Sequence, residues 1–260
     1  MKNFLFSLIL FCTAHCLNAQ QDVTVTYTGN MGVLITHNNT SVWIDGLHKK
    51  YGDDYLFPPQ ELVEKLTKGQ GTYSPPSLLL FTHKHGDHYN HELINNYLES
   101  HPKSIVVGPG QVGKMIKDDK NFAKVLTDDY SKQEFFHQDI KIRAFKMDHA
   151  GDRHISIENV GHLVSIGGKN LLHVGDTSWN LKNKMFKKLE IDKEHVDVAF
   201  LPYWMLLDKN AKSQLKKYFK STQIVATHIS PRIDKSDLDA IKEKYPKVHF
   251  LTQLEEQVKF

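Results

Sequence analysis

The chain has 260 residues, 40% of them hydrophobic and 24% charged, with a formal net charge of +3. That apolar content supports one sizeable core and excludes a fibrous or wholly disordered chain. The positive excess is slight and evenly spread, so it gives no electrostatic footprint for nucleic acid or a membrane surface.

Residues 1–20 have the pattern of a secretory signal. Met1-Lys2-Asn3 is a short positive start, Phe4 to Phe11 an apolar run, and Leu17-Asn18-Ala19 offers small residues for cleavage near Ala19 or Gln20. The run is much shorter than the ~20 residues needed to span a bilayer, so no transmembrane span is expected in the mature chain. The expectation is a secreted protein of the bacterial periplasm, with one domain over residues 21–260. Cleavage would remove Cys12 and Cys16, the chain's 2 cysteines. Without thiols the mature protein forms no disulfide, and any metal must be held by nitrogen and oxygen.

Beyond the signal, Val23 to Tyr27, Met31 to Thr36 and Ser41 to Asp45 alternate as strands separated by turns at Gly29-Asn30 and His37 to Thr40, predicting an antiparallel meander. Gly46 to Pro59 is a long aromatic-rich loop with Tyr51, Tyr55 and Phe57. A short helix is predicted over Gln60 to Leu66, a buried strand over Leu78 to Phe81, and a helix over Asn90 to Leu98. A strand over Ser104 to Val107 precedes a helix toward Ile116. Short strands follow from Ala123 to Met147, then from Ser156 to Ile166 and from Asn170 to Val174 around Gly167-Gly168. Helices near Leu181 to Leu189, Ala211 to Phe219 and Lys235 to Lys244 then alternate with strands Val196 to Leu201, Gln223 to Ala226 and one near His249. Strand runs separated by single helices predict an α/β fold of two face-to-face sheets with helices outside.

The segment Thr82-His83-Lys84-His85-Gly86-Asp87-His88 directly follows the strand Leu78 to Phe81. Alternate residues of an extended segment point the same way, so His83 and His85 can converge on one ion. A tightening at Gly86 would send Asp87 and His88 toward a second. Three more strands end on ligand-type side chains: His149 after Met147-Asp148, Asp176 after Val174-Gly175, and His228 after Ala226-Thr227. Sites in α/β folds are commonly built on loops held by such rigid strands.

The order His83-x-His85-x-Asp87-His88, His149, Gly175-Asp176-Thr177, His228 resembles the metallo-β-lactamase superfamily of binuclear hydrolases over nearly the whole mature chain. That resemblance implies a four-layer αββα sandwich of the metallo-β-lactamase type with the site at one edge. It assigns His83, His85 and His149 to a first divalent ion, Asp87, His88 and His228 to a second, and Asp176 to both. Asp45, after Val42-Trp43-Ile44, matches a strand-Asp element of the family and is expected behind the ligands. Asn159-Val160-Gly161 and Leu163 to Gly168 are similar to the branch containing ascorbate-6-phosphate lactonase and N-acyl-phosphatidylethanolamine phospholipase D. Members that open β-lactams typically lack the bridging aspartate, so Asp176 argues against a true β-lactamase.

The resemblance implies two ions, zinc first with manganese or iron as alternatives, and an activated hydroxide that attacks an ester, lactone or phosphodiester. The ions, Asp87, Asp176 and hydroxide together leave a formal excess of about one positive charge, which favours anionic substrates. Asp87 and Asp176 are the expected catalytic carboxylates. Asp87, His154 or Tyr203 could protonate the leaving group. Pro202-Tyr203-Trp204-Met205 would sit beside the metals, with Tyr203 and Trp204 as a wall for a small-molecule or lipid-like substrate. Alternatives are a phosphodiesterase or phospholipase D-like enzyme specifically, and a non-catalytic metal- or ligand-binding module on the same fold. Oligomeric state has no signature in the sequence.

Overall fold

Period-two alternation at the start of the chain produces three consecutive antiparallel strands, β1 (Thr24–Gly29), β2 (Gly32–His37) and β3 (Thr40–Ile44). This architecture comes from a computed structural model that describes residues 22–260 apart from 51, 72, 180, 181 and 183. The expected signal segment and Tyr51 therefore lie outside the described residues. From β3 the chain crosses through α1 (Gln60–Lys68) to β4 (Leu78–Leu80) and through α2 (His91–Ser100) to β5 (Ile105–Pro109). The short α3 (Gly110–Gly113) leads to β6 (Phe122–Val125), and each of these strands runs parallel to the one before.

The second half repeats the plan. β7 (Lys132–His137), β8 (Ile140–Lys146), β9 (Val160–Ile166) and β10 (Lys169–His173) pair antiparallel. α4 (Met185–Lys188) then leads to β11 (Val198–Pro202), α5 (Trp204–Leu207) and α6 (Ala211–Tyr218) to β12 (Gln223–Thr227), and α7 (Lys235–Lys244) to β13 (His249–Phe250). β11 pairs parallel with β10, β12 with β11 and β13 with β12. Finally β14 (Gln257–Lys259) returns to pair with β1. The result is two 7-stranded sheets, ordered β14-β1-β2-β3-β4-β5-β6 and β13-β12-β11-β10-β9-β8-β7.

Burial explains the layering. Val25, Val33, Ile35, Val42, Ile44, Leu78 and Leu80 of the first sheet meet Ile142, Val164, Leu171, Val198, Phe200 and Val225 of the second in one fully enclosed core. The alternate residues Leu34, Trp43 and Leu79 face the other way, onto Leu62 and Leu66 of α1 and Ile94 and Leu98 of α2. Leu163, Leu172, Ala199 and Leu201 likewise turn outward onto Met185, Phe186, Tyr218 and Phe219. Strands between two apolar layers must be apolar on both faces, which is why β4 is an unbroken Leu run. Helices, sheet, sheet, helices is the αββα sandwich expected from the sequence. Among the described residues no helix is long and apolar enough to cross a membrane.

Several boundaries differ from the sequence reading. Of the helix expected over Leu181 to Leu189, Met185–Lys188 is helical, following Lys184 in a left-handed conformation at φ 53°, while Leu181 and Asn183 lie outside the described residues. The helix expected toward Ile116 stops at Gly113, two glycines in four residues making a poor helix. The strand expected from Ser156 begins only at Val160, because the chain is still turning after the 3-10 segment Asp152–His154, the Ile157 N–H donating to the His154 carbonyl at 2.9 Å.

Candidate metal centre

The seven predicted ligands come together at the carboxyl ends of β4, β8, β10 and β12. Donor atoms of His83, His85, His149 and Asp176 all lie within 4.8 Å of one another, as do those of Asp87, His88, Asp176 and His228. Asp176 stands between the sets: its Oδ1 is 3.1 Å from His88 Nε2, and its Oδ2 is 3.3 Å from His228 Nε2, 3.9 Å from His149 Nε2 and 4.0 Å from His83 Nε2. Four ligands at zinc–nitrogen bond lengths in a tetrahedron stand about 3.3 Å apart. His83 Nε2 and His85 Nδ1, at 3.0 Å, are close to that spacing.

Lone pairs crowded this way need a cation or a proton among them. His88 Nε2, His149 Nε2 and Asp176 Oδ1 are enclosed yet have no hydrogen-bond partner. The opposite edges of the same rings are tied down. His88 Nδ1–H donates to Asp45 Oδ2 at 2.8 Å, and His149 Nδ1–H donates to the Ala150 carbonyl at 2.7 Å. Thr82 Oγ1–H donates to Asp45 Oδ2 at 2.6 Å, so the 3.0 Å contact of Thr82 Oγ1 with His83 Nδ1 has the imidazole donating. Each arrangement protonates the nitrogen away from the centre and leaves the inner one as a ligand, the usual way that outer hydrogen bonds fix a metal-binding tautomer. The donor set fits divalent cations.

Asp45 therefore organises a ligand of each set. It is fully buried and also accepts the Thr82 backbone N–H at 2.8 Å. Burial works against its charge, but His88 outweighs it and holds the carboxyl at about 2. Asn30 plays a comparable part that the sequence did not announce beyond a turn. Its Nδ2 donates to Asp87 Oδ2 at 3.0 Å and to the Asp87 carbonyl at 3.2 Å, while its own carbonyl accepts the His228 N–H at 2.9 Å. Asn30, Asp45 and His228 all have left-handed φ, at 49°, 48° and 58°. Gly175, at φ 60°, turns β10 into Asp176, and a Cβ there would lie 2.3 Å from Asn159 Oδ1 and 2.7 Å from Thr82 Cβ. Left-handed backbone is disfavoured for most residues, and its concentration here shows a framework that over-determines the ligand loops.

Electrostatics follow from burial and like charge. Burial, joined by the neighbouring imidazoles, keeps His83 well below its ordinary range and His85 at about 4, so both are neutral. Burial opposes charge on His88 and His228 too, yet Asp176 and Asp87 prevail, raising His88 well above its ordinary value and His228 to about 9. Against the same burial penalty, the histidines hold Asp87 and Asp176 well below the carboxylate range. In metal-free protein, protons on His88 and His228 thus take the place of cations.

Above the ligands lies a cavity of about 640 Å³, walled by Tyr55, Arg153, His154 and Trp204. Trp204 is held by its Nε1–H, which donates to the Thr177 carbonyl at 2.8 Å, and its ring stands edge-on to His228 with centroids 4.6 Å apart. Tyr203, its expected partner in the wall, does not line this cavity itself: half-buried, it packs against the cluster that contains Leu206, Ile229 and Tyr245, with its ring 6.1 Å from that of Trp204. His154 lies 4.9 Å from His85 and 4.7 Å from His149, ring to ring. His48 is buried against Phe57, and its burial lowers it to about 4.

Sandwich, shared carboxylate and paired ligand sets define a metallo-β-lactamase-type fold. Residues 24–228 match the model of the β-lactamase superfamily domain, and the chain belongs to that family. No curated protein sequence matches it. Among solved structures it is similar to the metallo-β-lactamase fold protein YhfI from Bacillus subtilis, at 12% identity and TM-score 0.61 over 92% of this chain and 100% of that one. An isothiocyanate hydrolase from Delia radicum gut bacteria aligns at 15% identity and TM-score 0.61, over 91% and 98%. The diiron β-hydroxylase CmlA from Streptomyces venezuelae aligns at 16% identity and TM-score 0.58, over 92% of this chain but 54% of that protein.

Proposed function

We propose that this protein is a secreted, binuclear metal-dependent hydrolase acting on a small-molecule ester, lactone or phosphodiester. The observation that carries the reading is Asp176, a carboxylate common to both ligand sets at the floor of an open cavity. His83, His85 and His149 would hold one ion, Asp87, His88 and His228 the other, and Asp176 both. When bound, two divalent ions supply an activated water and polarise the substrate oxygen. Zinc is the first choice for a set of imidazoles and carboxylates, and iron, as in the diiron neighbour, or manganese the alternative.

The chain's own groups do the rest. Asp87, held in place by Asn30 and kept anionic by its histidines, accepts a hydrogen bond from the attacking water and fixes its direction. Trp204 and Tyr55 flank the reacting group and exclude bulk solvent from one side. His154, beside His85 and His149, is the donor nearest an outgoing oxygen. The test is a panel of a chromogenic phosphodiester, a lactone and a chromogenic cephalosporin on metal-loaded protein. Turnover of either of the first two, abolished in His83→Ala and Asp176→Ala, supports the reading. Turnover unaffected by both substitutions refutes it, and cephalosporin hydrolysis alone refutes the assigned substrate class. Export is tested separately by whether the protein appears outside the cytoplasm with a shortened amino terminus.

A further inference from the structure

The hydrolase reading leaves the substrate's shape open, and the cavity wall narrows it. Arg153 and His154 sit side by side on the 3-10 turn that interrupts the chain between β8 and β9. Arg153 Nε–H donates to His154 Nε2 at 2.8 Å. That bond occupies one edge of the guanidinium, and no carboxylate among the described residues lies within ion-pair distance of it. Other arginines in the described chain behave differently: Arg143 is paired with Glu194, and Arg232 with Asp53 and Asp54. Arg153 is thus a cation at the mouth of the cavity, one hydrogen bond and one ring contact from His149 and His85. Across the same cavity, Tyr55 and Trp204 present rings edge-on to His228, 5.2 Å and 4.6 Å from it.

We propose that the substrate carries a second, non-reacting anionic group, a carboxylate or phosphate, which pairs with the Arg153 guanidinium while the scissile bond lies over the ligands and an apolar portion rests between Tyr55 and Trp204. This rests on the hydrolase reading for the reacting end only. A guanidinium with its terminal N–H groups free offers a fork that matches carboxylate and phosphate geometry. The Nε–H bond to His154 removes one rotational freedom and aims that fork, so less order is lost on binding. Because Arg153 is exposed, the pairing is screened by salt, and its contribution shrinks as ionic strength rises.

The test is calorimetric binding of glutarate, adipate and butyrate to metal-loaded wild type and to Arg153→Gln. The dicarboxylates can span the ligands and Arg153, whereas butyrate reaches only one of them. At low salt, at least one dicarboxylate binds wild type about 10-fold more tightly than butyrate, and in Arg153→Gln the ratio falls toward one. Arg153→Lys keeps the charge without the fork and recovers only part of the ratio. A ratio near one in wild type, or an unchanged ratio in Arg153→Gln, overturns the proposal. If the ratio behaves as expected while no ester, lactone or phosphodiester is turned over, the anionic subsite stands and the hydrolase reading falls.

Discussion

Asp45→Asn is the most informative single substitution because the amide keeps the carboxylate's shape and removes only charge and one acceptor. Asp45 accepts three hydrogen bonds, from Thr82 N, Thr82 Oγ1 and His88 Nδ1. An amide can offer an oxygen to one side only, so its NH₂ must face a donor. If it faces His88, the imidazole is driven to carry its proton on Nε2, the atom that points at Asp176 and belongs to the second ligand set. If it faces Thr82 N, the backbone that leads into His83 is pushed away. The depression of Asp45 from 3.8 to about 2 corresponds to about 2 kcal/mol favouring the folded anion. That stabilisation is present above the ordinary carboxyl range, is lost as pH falls toward about 2, and is missing in the variant at neutral pH. Loss of such an outer partner typically weakens metal binding about 10- to 100-fold, or about 1.4 to 2.7 kcal/mol. Competition against a chromophoric chelator should show this, most strongly for the weaker ion, together with a lower denaturation midpoint. Wild-type affinity for both ions in Asp45→Asn would refute the reasoning that Asp45 sets the tautomer.

Asn30→Asp keeps the size and left-handed tolerance of Asn30 but sets a like charge against Asp87. It should weaken the Asp87–His88–His228 set while sparing the other, so that a metal titration becomes clearly biphasic; uniform loss of both ions would contradict this. Gly175→Ala forces a β-carbon into Asn159 and Thr82 at a left-handed φ, and should cost about 3 kcal/mol in chemical denaturation and displace Asp176. A stability within about 0.5 kcal/mol of wild type would show that the turn is not constrained. In chelated protein, burial opposes the His228 charge but Asp176 and Asp87 raise it from 6.5 to about 9. Its contribution is therefore complete below pH 6.5 and lost as pH rises through about 9, whereas Asp87 and Asp176, depressed below 3.8, lose theirs only on acidification. The denaturation midpoint of chelated protein should fall between pH 6.5 and 9, and a rise there would contradict the assignment. Metal loading should release protons at neutral pH, read as a buffer-dependent binding enthalpy.

The sandwich was legible because its strands alternate cleanly and its helices fall between them; Lys235–Lys244 has the same bounds in sequence and structure. The candidate ligands were legible because His83, His85, Asp87 and His88 cluster along the chain and the others end apolar strands, and the structure brings all seven together. What escaped depends on long-range packing. Gln257–Lys259 is a strand only because β1 offers it an edge. Asn30 looks like any turn residue until the fold brings it 57 positions along the chain to Asp87. Tyr203 and Trp204 are equivalent as adjacent letters, and only the fold distinguishes Trp204, which lines the cavity, from Tyr203, equally half-buried but packed against the cluster that contains Leu206 and Tyr245. Arg153 has no local signature, and the role proposed for it rests on its place at the cavity mouth with no carboxylate partner among the described residues.

The account rests on one carboxylate serving two ions. Elemental analysis of metal-loaded wild type and Asp176→Ala, after removal of weakly bound metal, tests it most directly. The account predicts two ions per chain in wild type, one for each ligand set, and loss of tight binding at both in Asp176→Ala. Metal-free wild type after loading, or an Asp176→Ala variant that retains both ions with unchanged affinity, would contradict it.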